Sequence, residues 1–214
     1  MKYSQGGDCY AASFEGQGAE AFADTFEATL AGEVPACEGC GEPMKALAIL
    51  RQHPERFPLE RHAALGVFVC TREPGDDWDA WWQACALGNK LDEGGARGGL
   101  TALLYAEPPE LKEAGKVVGY ARIRDVQRSQ PAGEPPEQWP YEGIKLGGVP
   151  SYLGWGGEDL DFQPTCKECN ASMRFLGQLK SDRSLEYEYS GGDFTIFVFA
   201  CPTHDEPKLE AFVG

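Results

Sequence analysis

No uninterrupted apolar run in the chain approaches the ~18 residues that a membrane-spanning helix needs, so a helical membrane protein is not expected. The opening MKYSQGGDCYAASFEG has no basic-then-apolar pattern of a secretory signal, which makes the cytoplasm the expected location. Histidine is scarce, at three residues, and leaves few partners for a Ser/His/Asp or Cys/His nucleophile. There is no Walker A loop, no Gly-x-Gly-x-x-Gly after a strand, no Gly-x-Ser-x-Gly and no His-Glu-x-x-His. Positive charge is short as well: 19 Lys and Arg stand against 34 Asp and Glu, a net charge of −15. Such a potential repels phosphate backbones, so nucleic acid is not an expected partner. It would steer a basic protein inward, and it would equally serve solubility alone.

What the chain does hold is cysteine. Eight of them, with two Cys-x2-Cys pairs in an expected reducing compartment, favour metal binding over disulfides. The strongest stretch runs from Cys166 to His204. It opens with Cys166 and Cys169, closes with Cys201 and His204, and carries two apolar runs, Met173–Leu179 and Phe194–Ala200, between them. Two strands joined as a hairpin return their open ends to one place. A Cys3His set at that mouth suits tetrahedral zinc of the structural type.

With 42% apolar and 25% charged residues, the chain can bury a sizeable core as one domain or two. Asp8–Phe14 is strand-like, and GAEAFADTFEATL (Gly18–Leu30) is mixed helical and irregular. Ala46–Leu50 is a short apolar strand, Arg51–Ala63 a polar loop with two prolines, and Leu65–Cys70 a strand rich in β-branched and aromatic residues. Asp76 and Asp77 can cap a helix in which Trp78, Trp81, Trp82 and Cys85 share a face. A glycine-rich loop (Leu91–Leu100) and two strands, Thr101–Ala106 and Lys116–Val126, follow. Ser129–Pro140 holds four prolines and no apolar periodicity, and predicts a linker. The expected organisation is a first lobe over 1–128, the linker over 129–140 and a second lobe over 141–214, or one two-lobed domain. KLEAFVG reads as a short tail.

The two cysteine regions match each other. Cys37, Cys40, Met44, Leu47 and Leu50 correspond to Cys166, Cys169, Met173, Leu176 and Leu179 at a constant offset of 129, and LGVFVC ending at Cys70 corresponds to TIFVFAC ending at Cys201 at 131. This predicts two copies of one unit: a Cys-x2-Cys knuckle, a strand, a loop, a strand and a closing cysteine. The expected fold is therefore a β-rich α+β protein. It has two pseudo-repeated antiparallel-sheet lobes, each with a zinc-knuckle hairpin, and few short helices.

The first copy has three obvious ligands, Cys37, Cys40 and Cys70, and an open fourth. Candidates are Cys85, Glu73 (the counterpart of His204) and His62, or an empty or water-completed position. A strand between His62 and Cys70 would hold those two apart. A zinc deaminase is rejected, because Pro35-Ala36-Cys37 inserts a residue into its Pro-Cys-x-x-Cys and no upstream His/Cys-x-Glu exists. His53 and His62 lie in a polar loop and read as solvated, and Cys9 as a structural thiol.

The run KLGGVPSYL, then CKECNASMRFLGQL and TIFVFACPTH, resembles the bacterial YwqG-like family and the related eukaryotic programmed cell death protein 2 family. CEGCGEPMKALAIL and RHAALGVFVC are similar to the latter pattern too, with His62 matching a His ahead of the closing strand; the glutamine and the fourth ligand are missing there. These segments cover roughly half of the chain. The resemblance implies duplicated halves with structural zinc and no established enzymatic activity. Its eukaryotic members look like chaperones of a ribosomal protein, and some bacterial ones like immunity proteins against toxins. The expected function is a non-catalytic, zinc-stabilised protein-binding module, most specifically a cytosolic immunity protein that occludes a toxin. The alternatives are a chaperone or adaptor for a basic client, and a zinc hydrolase using the three-cysteine site. Glu158–Asp161, Tyr187, Tyr189 and Asp76–Trp82 are the expected partner contacts.

Overall fold

Short runs such as ALGVFV and FTIFVFA are too brief for stable helices and rich in residues that suit a pleated, buried surface. In the computed structural model of the chain, which describes residues 8–13, 20–72, 99–113, 115–124, 144–148, 150, 164–180 and 194–213, such runs become antiparallel strands, and there is no helix among the described residues. The strands are β1 (Asp8–Ser13), β2 (Glu20–Phe26), β3 (Thr29–Leu30), β4 (Lys45–Arg51), β5 (Ala64–Val69), β6 (Leu100–Tyr105), β7 (Leu111–Glu113), β8 (Lys116–Arg124), β9 (Lys145–Gly147), β10 (Arg174–Lys180), β11 (Phe194–Ala200) and β12 (Pro207–Val213). Ten of them form one sheet in the order β12-β11-β10-β9-β1-β8-β2-β4-β5-β6, and β3 pairs with β7 in a separate small ribbon. The two edge strands, β6 and β12, approach one another, so the sheet curls. Among the described residues no helix is long and apolar enough to cross a membrane.

Two hairpins of this sheet, β4–β5 and β10–β11, have the same register. Lys45 pairs with Val69 and Ala46 with Phe68; then Leu47 is skipped and Ala48 pairs with Val67. Arg174 pairs with Ala200 and Phe175 with Phe199; then Leu176 is skipped and Gly177 pairs with Val198. The bulge thus falls on a leucine in both, and each leucine is buried. Gly177 is needed where it stands, because a Cβ there would lie 2.6 Å from the carbonyl oxygen of Lys145 on β9.

One core runs through both halves of the sequence. Phe26, Leu47, Leu50, Leu65 and Phe68 pack in the same cluster as Leu146, Leu176, Leu179, Ile196 and Val198. A second, smaller cluster holds Cys166, Met173, Phe197, Phe199 and Cys201, with Phe175 packed against it.

Three segments differ from expectation. Ala- and Glu-rich Gly18–Leu30, expected to be partly helical, supplies β2 and β3, because β2 finds ladder partners on both sides, in β4 and β8. Tertiary pairing overrides the local helical preference. The expected C-terminal tail is the edge strand β12, paired along its length with β11. Its alternation of Lys208, Glu210 and Phe212 with Leu209, Ala211 and Val213 is a strand signal, and Pro207 stands at the strand's first position, where a proline is tolerated. Lys145–Gly147, three residues without a readable period, forms β9, between β1 and β10. The expected helix from Trp78 and the 129–140 linker lie outside the described residues.

Candidate metal centre

Both hairpins carry a cysteine turn ahead of their first strand, and the two turns share one backbone pattern. The Cys37 amide donates to the Glu42 carbonyl at 2.8 Å, and the Gly41 amide returns to the Cys37 carbonyl at 2.8 Å. The Cys166 amide donates to the Ala171 carbonyl at 2.9 Å, and the Asn170 amide returns to the Cys166 carbonyl at 2.9 Å. A third turn follows β11: the Cys201 amide donates to the Glu206 carbonyl at 2.9 Å, and the Asp205 amide to the Cys201 carbonyl at 3.0 Å. Each places the fourth residue after its cysteine in the left-handed region, with φ 76° at Gly41, 56° at Asn170 and 62° at Asp205. Glycine, asparagine and aspartate are the residues that tolerate this conformation best.

After β5 the described backbone differs: the Cys70 amide donates to the Gly99 carbonyl at 2.9 Å. Glu73 and Cys85 lie outside the described residues.

At the mouth of β10–β11, one donor atom from each of Cys166, Cys169, Cys201 and His204 falls within a 4.8 Å cluster. Cys169 Sγ and Cys201 Sγ are 3.6 Å apart, and His204 lies 3.1 Å (Nδ1) from Cys201 Sγ and 3.4 Å (Nε2) from Cys166 Sγ. A tetrahedral ion with metal–sulfur bonds of ~2.3 Å requires sulfurs about 3.8 Å apart, close to this spacing. Cys166 and Cys201 are fully buried, and Cys169 is exposed. The sequence-predicted set is thus brought together from residues 32 to 38 positions apart in the chain, and it fits a metal ion.

Cys37, Cys40 and Cys70 form a second cluster of three donors, with Cys40 Sγ 3.7 Å from Cys70 Sγ. His62, a candidate fourth ligand, points elsewhere: its Nδ1 lies 3.0 Å from Asp205 Oδ2 beside the other centre. It is not merely solvated, nor is His53, whose Nδ1 accepts the amides of Glu55 and Arg56 at 3.3 and 3.2 Å.

The thiols behave as crowded donors. Burial pushes Cys70 up to about 12, reinforced by the neighbouring Cys37 and Cys40 and opposed by the Arg72 amide. Burial also raises Cys166 to about 12, with the Glu206 carboxylate adding to it. At Cys201 burial acts upward too, but the amides of Thr203 and His204 together with hydrogen bonds from Cys169 and Cys166 outweigh it and bring the thiol down to about 7. Several sulfurs this close cannot all ionise together without a cation among them.

Two carboxylates that sequence reasoning missed flank the four-donor centre. Glu168 Oε2 lies 2.8 Å from His204 Nε2, and Glu206 Oε2 accepts from Cys166 Sγ at 2.8 Å. An imidazole that binds a metal hands its other N–H to an acceptor; with Glu168 on Nε2, Nδ1 is the nitrogen left for an ion. The only sequence signal for this pair was acidic residues inside Cys-x2-Cys and just past the closing histidine. The proposed partner-contact residues Glu158–Asp161, Tyr187, Tyr189 and Asp76–Trp82 lie outside the described residues.

Compared with protein-family models, curated proteins and solved structures, the chain matches none of them. The family resemblance therefore rests on the motifs quoted above.

Proposed function

We propose that this chain is a non-catalytic protein-binding module whose two hairpins are copies of one unit, stabilised by zinc. The observation that carries the zinc reading is the convergence of Cys166, Cys169, Cys201 and His204 on one point with sulfur spacings near a tetrahedral edge. Four protein donors would leave a tetrahedral ion no open position for substrate, which is the structural rather than the catalytic arrangement. The shared register, bulge and cysteine turns of β4–β5 and β10–β11 support duplication. Cys37, Cys40 and Cys70 would hold a second ion.

The partner in this reading is a basic protein, favoured by the net charge of −15. Its most specific form is a cytoplasmic immunity protein that occludes a toxin. Co-expression with the product of a neighbouring gene tests it: rescue of growth together with a co-purifying complex is expected, and a toxic neighbour left unbound and unneutralised would overturn it. The same acidity favours a second reading, a chaperone or adaptor for a basic client of the ribosomal-protein type. Capture of such a client, with an assembly defect on deletion, would select it over immunity.

A further inference from the structure

We propose that the four-donor metal centre latches the Pro58–His62 segment, so that filling the centre and ordering this segment of the first half are one coupled event. The inference rests on the zinc reading given above, for the four-donor centre only.

Asp205 follows the ligand His204 directly, and its carboxylate is fully buried. None of its carboxylate contacts here is to its own turn. Oδ1 accepts the Glu60 amide at 2.8 Å, Oδ2 accepts the Arg61 amide at 2.7 Å, and Oδ2 also lies 3.0 Å from His62 Nδ1. These residues stand 143 to 145 positions away in sequence. A second contact reinforces the first: Arg174, at the start of β10, donates from Nη2 to the Pro58 carbonyl. Pro58–His62 belongs to the β4–β5 loop, at the opposite end of that hairpin from Cys37, Cys40 and Cys70. The four-donor centre therefore grips the far end of the first hairpin.

The grip depends on the shape of the metal-bearing turn. Asp205 sits at φ 62°, and its amide is tied to the Cys201 carbonyl while the Cys201 amide is tied to Glu206. Cys201 and His204, two of the four donors, bracket this geometry. An ion holding both would fix the turn, and the turn aims the carboxylate at three donors on a loop otherwise held by the His53–Phe57 bridge, the Gln52–Ala63 and Ala63–Tyr105 hydrogen bonds and the buried Phe57 and Leu59. The turn is the β11–β12 hairpin loop, bracketed by the Ala200–Pro207 pair, and the apolar cluster beside it is small: Cys166, Met173, Phe197, Phe199 and Cys201. Coupling of this kind is reciprocal, so anything that breaks the latch must weaken metal binding by the same factor.

Hydrogen exchange on the full chain, with zinc and after stripping by a chelator, tests the latch. The Glu60 and Arg61 amides should exchange about ten-fold or more faster without zinc, while the Val67 amide in β5 stays protected. His62→Ala leaves every cysteine turn intact. It should bind zinc at this centre about five-fold or more weakly, read by chelator competition and by the His204 imidazole resonances. Asp205→Asn, which keeps a residue suited to the left-handed region, should lose the Arg61 protection with zinc still bound. Zinc that binds and leaves with no change at Glu60 and Arg61, or wild-type affinity in His62→Ala, would overturn the latch and leave the zinc reading standing. Failure of the four residues to bind zinc at all would overturn both.

Discussion

At the scale of single residues, the donors Cys201 and His204 carry the clearest expectation. Serine or alanine at either removes one of four ligands, and the bound zinc per chain should fall by one, read by elemental analysis. The unfolding temperature should fall with it, because structural zinc contributes folding free energy directly. The raised thiol at Cys166 adds a pH prediction: it must lose its proton to bind metal, so loading should release protons and affinity should rise with pH, as an indicator-dye titration would show. Asp24 gives a second. Burial holds its carboxyl above the usual range, although Arg56 lies 3.7 Å away and the Arg51 amide donates to it at 2.7 Å. An acid with a raised folded pKa binds its proton more tightly when folded, so stability falls as pH rises from the ordinary carboxylate pKa through the folded one. Denaturation of wild type and Asp24→Asn between about pH 4 and 7 should show wild type losing ground to the variant as pH rises. A constant difference would exclude the buried charge as the cause.

At the scale of elements, the two hairpins share a register and differ in support. Cys37, Met44 and Cys70 belong to the large core, whereas Cys166, Met173 and Cys201 sit in the small cluster with Phe197 and Phe199. Removing metal should therefore loosen the turns at Cys166 and Cys201 more than those at Cys37 and Cys70, measured as amide exchange before and after chelation. Phe199 is buried and meets Phe175 edge-on at 5.6 Å, so Phe199→Ala should cost about 3–5 kcal/mol and lower zinc affinity as well. The hairpin strands themselves were legible in the sequence, since ALGVFV and FTIFVFA are apolar at nearly every position and only a strand buried on both faces wants that. Strand β2 was less so: its residues do not demand a strand, and its neighbours supply it.

At the scale of the molecule, charge and topology meet. If the partner is basic, as −15 favours, binding should weaken steeply with added salt and mainly through slower association, as stopped-flow mixing at two ionic strengths would show. A salt-independent association rate would remove electrostatics from the account. The expected two lobes appear as strands of one sheet around one core: residues of both halves share the large cluster, and β1 and β8, which pair directly, join the two flanks of the sheet. The four-donor centre also closes on the loop of the first hairpin through Asp205.

The sequence by itself determined which cysteines and histidine would cluster as candidate donors and the hairpins that carry them. Cysteine spacing, a constant offset and fully apolar runs are local properties, and a hairpin brings its own ends together without help from the rest of the chain. Only the tertiary structure decided that His62 serves Asp205 rather than a metal, that Glu168 and Glu206 stand behind the donors, and that both hairpins share one sheet. Those outcomes depend on contacts between residues far apart in the chain, and no periodicity or spacing records which distant donor a buried carboxylate will meet.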